Sequence, residues 1–571
     1  MIKPRKAVIE MEKYNPPTSG RENYMRLDFN ENTLGCSPIV IRRLRKISSS
    51  SFSIYPEYGN LRKALAKYCK VREDEVLPTN ATDEAIKTII ETYIEKGKDE
   101  IVIPIPTFAM LKFYAQLNEA IIKEVVYNQD LSFPTKRIID SISKKTKIVV
   151  LVNPNNPTGT SIKNQDIIKI IKKAEKNNAL VLLDEAYYQF YGKTFVPLIR
   201  KYDNLIVIQT FSKAFGLAGI RLGYIVSNQE NINAMQKVLS PYSVNGVAAI
   251  CAQAALKDLN YVQKYVKEIK QSKEILYSAL DRLGIKYYQS DANFILIDAD
   301  KMADVFCKKL KENGILARNR SSDVLLEGCV RITIGTKRQT KRLVNILEII
   351  IKQIRPLLIF DIDGVLVDVS QSYRVAIKKT AEYFTGNKAS FEEIDGYKNK
   401  GGYNNDWDLT VAIIRSRGKN IEKRIIVSKF QSFYKKLAKS ETWLLDKGVL
   451  RQLSGRYNLA ILTGRPKVEA LYALESNGAE KYFSDIIAME DVSRQKPNPE
   501  GLIKLLNKFQ ADGAFYFGDT IDDMKAAASA KITPIGILTP QNKSKKSKNL
   551  LKKFGAKFVL NDISQIAKVL K

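Results

Sequence analysis

Short apolar runs alternate with amphipathic stretches along the whole chain, which leaves few architectures open to it. The runs include residues 101–105, 147–152, 180–183 and 205–209, and each has the length of a buried strand. Apolar strands that alternate with amphipathic helices are typical of a mostly parallel sheet with helices packed on both faces. The sequence therefore predicts an α/β fold.

The length of 571 residues exceeds that of an ordinary single domain, and the pattern changes near Pro356. Residues 337–354 carry apolar side chains at helical spacing, and Pro356 ends this helix. The apolar run 357–360 then begins a second series of strands. We predict a first domain over 1–354 and a second over 356–571, joined by a short linker.

The chain contains no histidine. This excludes a Ser-His-Asp triad and zinc bound by histidine, so acid–base chemistry must use Lys, Asp, Glu or Tyr side chains. Any metal site must be rich in oxygen ligands, which favours magnesium. The five cysteines form no Cys-x-x-Cys pair, a pattern typical of reduced thiols in a cytoplasmic protein. With no apolar run of 18 residues and no apolar core near Met1, we expect neither a membrane span nor a secretion signal.

The formal net charge is +31, and seven lysines lie between residues 543 and 557. Such a charge suits nucleic-acid binding, and it also suits phosphorylated substrates. Basic residues interleaved with aromatic residues, as in RNA-binding segments, are absent from the sequence. We interpret the charge as a lysine-rich composition spread over solvated helix faces, and we expect no nucleic-acid partner.

One glycine-rich segment holds Lys213 among small residues, with Ser212 before it and Arg221 eight positions after it. Upstream, Asp184 ends an apolar run, and Asn156 lies in a turn rich in proline and glycine. An unpaired carboxylate at the end of a buried strand is costly unless a cationic group faces it. A lysine among small residues and a cationic anchor suit a cofactor that carries both an aldehyde and a phosphate.

In order and spacing these residues resemble the fold-type I pyridoxal 5′-phosphate (PLP) aminotransferases. The resemblance implies a large domain with a mixed, mostly parallel sheet and a small α/β domain. It implies that Lys213 binds the cofactor's aldehyde and moves the substrate's proton, while Asp184 pairs with the ring nitrogen. It assigns Asn156 and Tyr187 to the ring's phenolic oxygen and Phe108 to the ring face.

The cofactor's phosphate would be held, by the same resemblance, at a helix N-terminus. The residues implied are Ser212, Arg221 and the backbone amides of Ala81 and Thr82. Asn80-Ala81-Thr82 departs from the Gly-Ser pattern that is commoner in the family, but Thr82 keeps a hydroxyl group.

Within this fold the likeness is strongest to the histidinol-phosphate aminotransferase family. It rests on Asn30-Glu31-Asn32, on Tyr55-Pro56-Glu57 and on two arginines 13 residues apart, Arg318 and Arg331. The tyrosine of such a Tyr-Pro-Glu segment reaches the partner subunit's PLP phosphate, which implies a homodimer. The arginines and Tyr14 would bind the anionic groups of glutamate and of imidazole-acetol phosphate. The threonine-phosphate decarboxylases look very similar and stay open as an alternative.

A second set of motifs begins with Asp361 and Asp363, which follow the run 357–360 on one tight turn. A DxDG turn alone is a weak signal, because calcium loops and ordinary turns also contain it. Three further segments follow in order, each at the end of an apolar run or beside a proline turn. Their polar residues are Thr463, Lys496, Asp519 and Asp523. The four segments together resemble the haloacid dehalogenase superfamily.

This resemblance implies a phosphatase with a Rossmann-like core and a helical cap at about 369–449. Asp361 would attack phosphorus, and Asp363 would protonate the leaving alcohol and then activate water. Thr463 and Lys496 would bind the phosphoryl oxygens. Mg²⁺ would be held by three carboxylates and one backbone carbonyl. These ligands would be Asp361, Asp519, Asp523 and, through its carbonyl, Asp363.

The two halves together predict a bifunctional enzyme of histidine biosynthesis that acts on glutamate and small phosphorylated substrates. The first half would make histidinol phosphate, and the second would hydrolyse it to histidinol. One alternative joins a threonine-phosphate decarboxylase or another PLP aminotransferase to a phosphoglycolate-type phosphatase. A second alternative is a basic nucleic-acid-binding protein with decayed sites, which the intact site residues disfavour.

Overall fold

The computed structural model of the protein describes residues 2–12, 19–398, 402–403, 405–509, 511 and 513–570. The chain divides into two units, Met1–Ile350 and Ile351–Lys571, a few residues before the boundary predicted from the sequence. Among the described residues, no helix combines the length and the apolar composition needed to cross a membrane.

The first unit is organised around one large sheet and one small sheet. Its strands are β1 Met25–Arg26, β2 Val76–Thr79, β3 Glu100–Ile105, β4 Ile121–Val126, β5 Thr146–Val152, β6 Leu180–Asp184, β7 Leu205–Thr210, β8 Gly223–Val226, β9 Lys286–Tyr288, β10 Phe294–Asp298, β11 Ile315–Leu316, β12 Arg318–Asn319 and β13 Cys329–Thr333. The large sheet has the order β2-β8-β7-β6-β5-β3-β4, and the small sheet has the order β12-β13-β10-β9.

In the large sheet, β8 runs antiparallel to both of its neighbours and the remaining strands pair in parallel. Every residue of β7 is buried, which is typical of a parallel strand covered on both faces. The small sheet is antiparallel, and β1 pairs separately with β11. The predicted α/β fold, with a mixed, mostly parallel large sheet and a small α/β domain, is confirmed.

Helices connect these strands, and most of the longer ones bury an apolar face. The helices are α1 Lys6–Glu10, α2 Pro38–Leu44, α3 Ser50–Ser53, α4 Gly59–Cys69, α5 Ala81–Tyr93, α6 Ala109–Leu117, α7 Thr135–Ser141, α8 Asn164–Glu175, α9 Tyr188–Tyr191, α10 Gln229–Gln236, α11 Gly246–Ala255, α12 Leu259–Leu283, α13 Ala303–Glu312 and α14 Lys337–Ile354. In α8, for example, Ile167, Ile170, Ile171 and Ala174 are buried at helical spacing.

The second unit is built on a parallel sheet with a helical insertion. Its strands are β14 Leu357–Phe360, β15 Val367–Asp368, β16 Thr442–Trp443, β17 Asn458–Leu462, β18 Asp485–Ile487, β19 Ala514–Gly518, β20 Thr533–Ile537 and β21 Phe558–Leu560. The sheet has the order β18-β17-β14-β19-β20-β21, and all of its pairs are parallel. This is the Rossmann-like core that the sequence predicted.

The insertion leaves the core after β15 and returns through β16, and these two strands pair antiparallel. The helices of the second unit are α15 Tyr373–Thr385, α16 Phe391–Lys398, α17 Asp406–Ser416, α18 Lys423–Leu437, α19 Lys447–Arg456, α20 Lys467–Ser476, α21 Glu500–Phe509, α22 Ile521–Ser529 and α23 Lys545–Lys553. Helices α15 to α18 form the cap, and α19 already belongs to the connection that leads back into β17.

Candidate active sites

The first candidate site lies at the edge of the large sheet where its parallel strands end. Asp184 is the last residue of β6, Lys213 follows β7 and Asn156 follows β5. Because the carboxyl ends of parallel strands share one edge, these residues surround a common cavity of about 640 Å³. The predicted residues that line it are Ala81, Thr82, Phe108, Asn156, Asp184, Tyr187, Ser212, Lys213, Arg221, Arg318 and Arg331.

The carboxyl group of Asp184 is almost completely removed from solvent. The residue is 3% exposed, and its Oδ1 accepts a hydrogen bond from the backbone N–H of Ala186 at 2.9 Å. Burial raises the pKa of Asp184 to about 7, although the Ala186 hydrogen bond and the charge of Lys213 oppose this shift. A carboxylate in such surroundings is stabilised when a cationic group faces it.

The amine of Lys213 is held inside the same cavity. Its Nζ donates to the backbone carbonyl of Phe29 at 3.0 Å and lies 5.7 Å from the centre of the Tyr187 ring. The Tyr187 hydroxyl group accepts a hydrogen bond from Asn30 Nδ2 at 2.9 Å. The first unit thus brings the lysine, the buried carboxylate and the tyrosine to one cavity.

The start of α5 has an unusual backbone. Ala81 has a φ of 63°, in the left-handed region that alanine rarely adopts. Gly223 lies directly against this turn, since a Cβ on it would stand 2.7 Å from the Ala81 carbonyl carbon and 2.8 Å from Thr82 N. The close approach of β8 therefore fixes a helix N-terminus at the cavity, where backbone N–H groups suit an anion.

The predicted phosphate anchors surround this helix start. The Ser212 hydroxyl group accepts a hydrogen bond from Thr210 Oγ1 at 3.0 Å. Arg221 also has a left-handed backbone, with a φ of 56°, and its Nη2 donates to Asp83 Oδ2 at 2.5 Å. The Arg221 side chain is 45% exposed, so the Asp83 contact is a surface ion pair of little energetic weight.

Several arginines add positive charge to the lining of the cavity. Arg331 is 6% exposed, and it donates to Asn156 Oδ1 at 2.5 Å and to the Asp28 carbonyl at 2.7 Å. The Arg318 guanidinium lies 6.0 Å from the centre of the Phe29 ring. Arg320 lines the same cavity. Guanidinium groups in a partly enclosed cavity suit carboxylate and phosphate oxygens.

Two of the predicted residues lie elsewhere. Tyr55 does not line the cavity of its own chain; it is 73% exposed and stacks on Tyr242 with 4.5 Å between ring centres. Tyr14 falls outside the described residues.

The second candidate site lies at the carboxyl edge of the second sheet. Asp361 follows β14, Thr463 follows β17 and Asp519 follows β19. Carboxylate oxygens of Asp361, Asp519 and Asp523 lie within 4.8 Å of one another in the described part of the chain. Burial, followed by repulsion from the two other carboxylates, raises the pKa of Asp519. Three crowded carboxylates of this kind suit a divalent cation.

Lys496 supplies the positive charge of this cluster. Its Nζ lies 2.8 Å from Asp361 Oδ2 and 2.7 Å from Asp523 Oδ1, and it also donates to the Tyr516 hydroxyl group at 3.0 Å. Burial acts to lower the pKa of Lys496, but the two carboxylates outweigh it and raise the pKa. Lys496 is therefore a fixed ammonium group beside the predicted nucleophile.

The predicted acid–base residue Asp363 has a cationic partner of its own. The guanidinium of Arg465 is buried, and its Nε donates to Asp363 Oδ1 at 2.6 Å. The backbone N–H of Arg465 also donates to Thr463 Oγ1 at 3.2 Å. A small pocket beside these residues is lined by Trp407 from the cap.

The pocket over the predicted nucleophile is small, about 40 Å³, and it is lined by both the core and the cap. The cap contributes two cations, Arg374 from α15 and Lys398 from α16. Lys398 Nζ lies 3.0 Å from Asp406 Oδ1, and Arg374 forms an ion pair with Asp395. Each cation therefore already has an acidic partner within the cap.

Sequence reasoning missed several residues near the two sites. Asn30 lies in the quoted Asn-Glu-Asn motif, and Arg465 directly follows Thr463-Gly464, so their positions carried a signal. Arg320 and Lys398 belong to no motif identified in the sequence, and the structure shows that they line the first cavity and the pocket over Asp361, respectively.

Comparison with known proteins confirms both resemblances found in the sequence. Residues 22–347 match the family model for aminotransferase class I and II, and residues 358–537 match that for haloacid dehalogenase-like hydrolases. Over 328 residues the chain is 39% identical to the histidinol-phosphate aminotransferase of Caldanaerobacter subterraneus subsp. tengcongensis, covering 57% of this chain and 92% of the relative. Over 340 residues it is 36% identical to that of Methanocaldococcus jannaschii, covering 58% and 90%.

A solved structure has the same fold as the first unit. The histidinol-phosphate aminotransferase of Sinorhizobium meliloti, in complex with pyridoxal 5′-phosphate, superposes with a TM-score of 0.56. The match covers 61% of this chain and 97% of that one at 22% identity, so it establishes the fold and not the substrate.

Proposed function

Because the chain belongs to the class I and II aminotransferase family, we propose that its first unit transfers an amino group from glutamate to imidazole-acetol phosphate. The products are 2-oxoglutarate and histidinol phosphate. The observation that carries this proposal is the single cavity that joins Lys213, the buried Asp184 and a cationic wall. The names of the relatives described above support the choice of substrate.

PLP fits the residues of this cavity. Asp184 is a buried carboxyl group that needs a cationic partner, and the N-terminus of α5 suits a phosphate. When bound, PLP supplies an electron sink for the pair left at the substrate's Cα. Lys213 would hold it, Asp184 would face its ring nitrogen, and Ser212 and Arg221 would contact its phosphate.

The chain's own residues then orient the substrate and move its proton. Arg331 is fixed by Asn156 and by the Asp28 carbonyl, so its guanidinium presents a rigid fork to a carboxylate. Arg318 adds a second fork for the other anionic group of each substrate. Lys213 Nζ lies inside this cavity and would be the base that takes the proton from the substrate's Cα.

An exposed apolar surface supports the proposed homodimer. Phe52, Ile54, Tyr55 and Tyr242 are 70%, 68%, 73% and 53% exposed, and Tyr55 stacks on Tyr242. Large apolar side chains grouped on a surface are typical of a protein interface. A second copy of the chain would cover them and would bring each Tyr55 to the partner's cofactor phosphate.

The second unit is a haloacid dehalogenase-like hydrolase domain, and we infer that it hydrolyses a phosphate monoester. Mg²⁺ fits the cluster of Asp361, Asp519 and Asp523, and when bound it reduces the repulsion between a carboxylate and a phosphate. Asp361 would attack phosphorus while Asp363 protonates the leaving oxygen, and Lys496 would hold the phosphoryl oxygens. Water, deprotonated by Asp363, would then release phosphate.

Histidinol phosphate is the proposed substrate of this domain because the first unit would produce it. The second candidate is an acidic phosphomonoester of the phosphoglycolate type. It is favoured by Arg374 and Lys398, two cations that line the pocket from the cap and would have to share their charge between the substrate and their cap partners Asp395 and Asp406. A comparison of kcat/KM for the two esters separates the candidates, and Lys398→Ala should lower kcat/KM selectively for the acidic ester.

A coupled assay tests the whole proposal. Purified protein with PLP, Mg²⁺, glutamate and imidazole-acetol phosphate should release 2-oxoglutarate and phosphate. Lys213→Ala should abolish both products, and Asp361→Asn should abolish phosphate alone. Transamination without phosphate release in the wild type would refute the second step and keep the first. Carbon dioxide release from threonine phosphate would replace the aminotransferase proposal with the decarboxylase alternative.

A further inference from the structure

The Arg465 side chain links the phosphatase core to its cap through a completely buried guanidinium. Its Nε donates to Asp363 Oδ1 at 2.6 Å, and its Nη1 and Nη2 donate to the two carboxylate oxygens of Glu441 at 3.0 and 3.2 Å. The side chain has no exposed surface. One guanidinium therefore holds two carboxylates, and one of these belongs to the predicted acid–base residue.

Glu441 lies where the cap returns to the core, directly before β16. It also accepts hydrogen bonds from the hydroxyl groups of Ser372, at 2.8 Å, and Tyr434, at 3.3 Å, which belong to the two ends of the cap. The Arg465 guanidinium lies 5.0 Å from the centre of the Tyr373 ring on α15. Glu441 thus connects both ends of the cap to Arg465 through hydrogen bonds.

A role in stability alone explains this arrangement poorly. Burying a guanidinium with two carboxylates costs several kcal/mol of desolvation, and apolar residues of similar volume usually fill such a site at least as well. The bidentate contact with Glu441 fixes the plane of the guanidinium, which in turn fixes the position of Asp363 Oδ1. Among the described residues no hydrogen bond reaches Asp363 Oδ2, and Asp363 lines the pocket over the nucleophile.

We propose that Arg465 and Glu441 are positioning residues that hold Asp363 for proton transfer to the leaving oxygen. The inference rests on the proposed phosphatase function. In the first half-reaction the bond from an Asp361 oxygen to phosphorus forms, the bond from phosphorus to the leaving oxygen breaks, and a proton passes from Asp363 to that oxygen. In the second, water attacks phosphorus, its proton returns to Asp363, and Asp361 is released.

Leaving groups of different basicity distinguish positioning from general structural damage. A p-nitrophenolate leaves readily without a proton, whereas a phenolate depends more on proton donation. The two esters, p-nitrophenyl phosphate and phenyl phosphate, have nearly the same size and charge. Loss of a correctly held Asp363 should therefore slow phenyl phosphate more than p-nitrophenyl phosphate.

The experiment measures the single-turnover release of each phenol by full-length protein with Mg²⁺. General acids contribute about 10²–10⁴-fold to rate, so we expect Glu441→Gln and Arg465→Met to slow phenyl phosphate about 10-fold more than p-nitrophenyl phosphate. Arg465→Lys keeps the positive charge on a single nitrogen, so it should show only part of this extra slowing of phenyl phosphate. The double variant Glu441→Gln/Asp363→Asn should show the same ratio of the two ester rates as Asp363→Asn alone.

The matched control is Glu469→Gln. Glu469 lies in the same cluster, bound by the Tyr373 hydroxyl group and by Gln431 Nε2, but it does not contact Asp363. This variant should leave the ratio of the two rates unchanged. If Arg465→Met does not fold, Glu441→Gln and Arg465→Lys still decide the matter.

Equal slowing of both esters in Glu441→Gln and Arg465→Lys would overturn the inference while leaving the phosphatase function intact. A wild-type protein that hydrolyses neither ester would overturn the inference and the proposed function together.

Discussion

Replacing Asp184 with Asn should stabilise the PLP-free protein and weaken its hold on PLP. In the folded chain burial raises the pKa of Asp184 from 3.8 to about 7. Because the folded carboxyl group binds its proton more tightly than the unfolded one, stability falls as the pH rises from about 4 to 7 and is level above that. At about 1.4 kcal/mol per unit, the cost is about 2 kcal/mol at pH 5 and about 4 kcal/mol at pH 8.

The assay is thermal unfolding of the PLP-free protein, followed through the transition that added PLP shifts. With an unfolding entropy of about 2.1 cal/mol/K per residue, Asp184→Asn should raise the Tm of the first unit by about 5 °C at pH 8 and by about 2 °C at pH 5. The Asn side chain can still accept the Ala186 hydrogen bond, so the change is one of charge. PLP should then stabilise the variant less than the wild type.

Glu185→Gln is the matched control. Burial also raises the pKa of Glu185 to about 7, but its carboxylate is bound by Thr194, Gln209 and the Phe195 backbone, and it does not line the cavity. PLP should stabilise this variant as much as the wild type. An Asp184→Asn Tm that equals the wild-type Tm, or that rises equally at both pH values, would refute the electrostatic argument.

Further substitutions test the remaining features. Lys213→Ala should lose the visible absorbance of bound PLP and all transamination, but it should hydrolyse p-nitrophenyl phosphate at the wild-type rate. Asp361→Asn should keep the absorbance of bound PLP and transamination, but it should lose phosphate release from p-nitrophenyl phosphate. Phe52→Asp should convert dimers to monomers in sedimentation experiments, because it places a charge in the proposed apolar interface. Ala81→Gly should stabilise the PLP-free protein by about 1 kcal/mol in denaturant unfolding, since glycine adopts a φ of 63° without strain.

The positions of the main site residues could be predicted because they depend on strand ends. Asp184 and Lys213 each end or follow an apolar run, and parallel strands bring such residues to one edge whatever the loops do. The same reasoning applies to Asp361 and Asp519 in the second unit. Apolar periodicity therefore carried enough information to put these residues at strand ends, whereas the choice of these residues as site residues came from the two family resemblances.

The contacts that tune these residues could not be predicted. Asp363 pairs with Arg465 and, through it, with Glu441, which is reached only after four cap helices have folded back. Likewise, alanine at position 81 gives no local sign of a left-handed backbone, which occurs where Gly223 on β8 approaches the chain closely. Such features are set by tertiary packing between distant segments.

Lys496 has a consequence for how the second unit would behave in the cell. Its ammonium group lies between Asp361 and Asp523, two carboxylates that the metal would also share. The domain therefore carries an internal counter-ion, and withdrawal of Mg²⁺ should silence it without unfolding it. An incoming ion must compete with a charge that is already in place, which weakens its binding. We expect the rate of hydrolysis to follow the concentration of free Mg²⁺, because this domain would bind the ion weakly and reversibly.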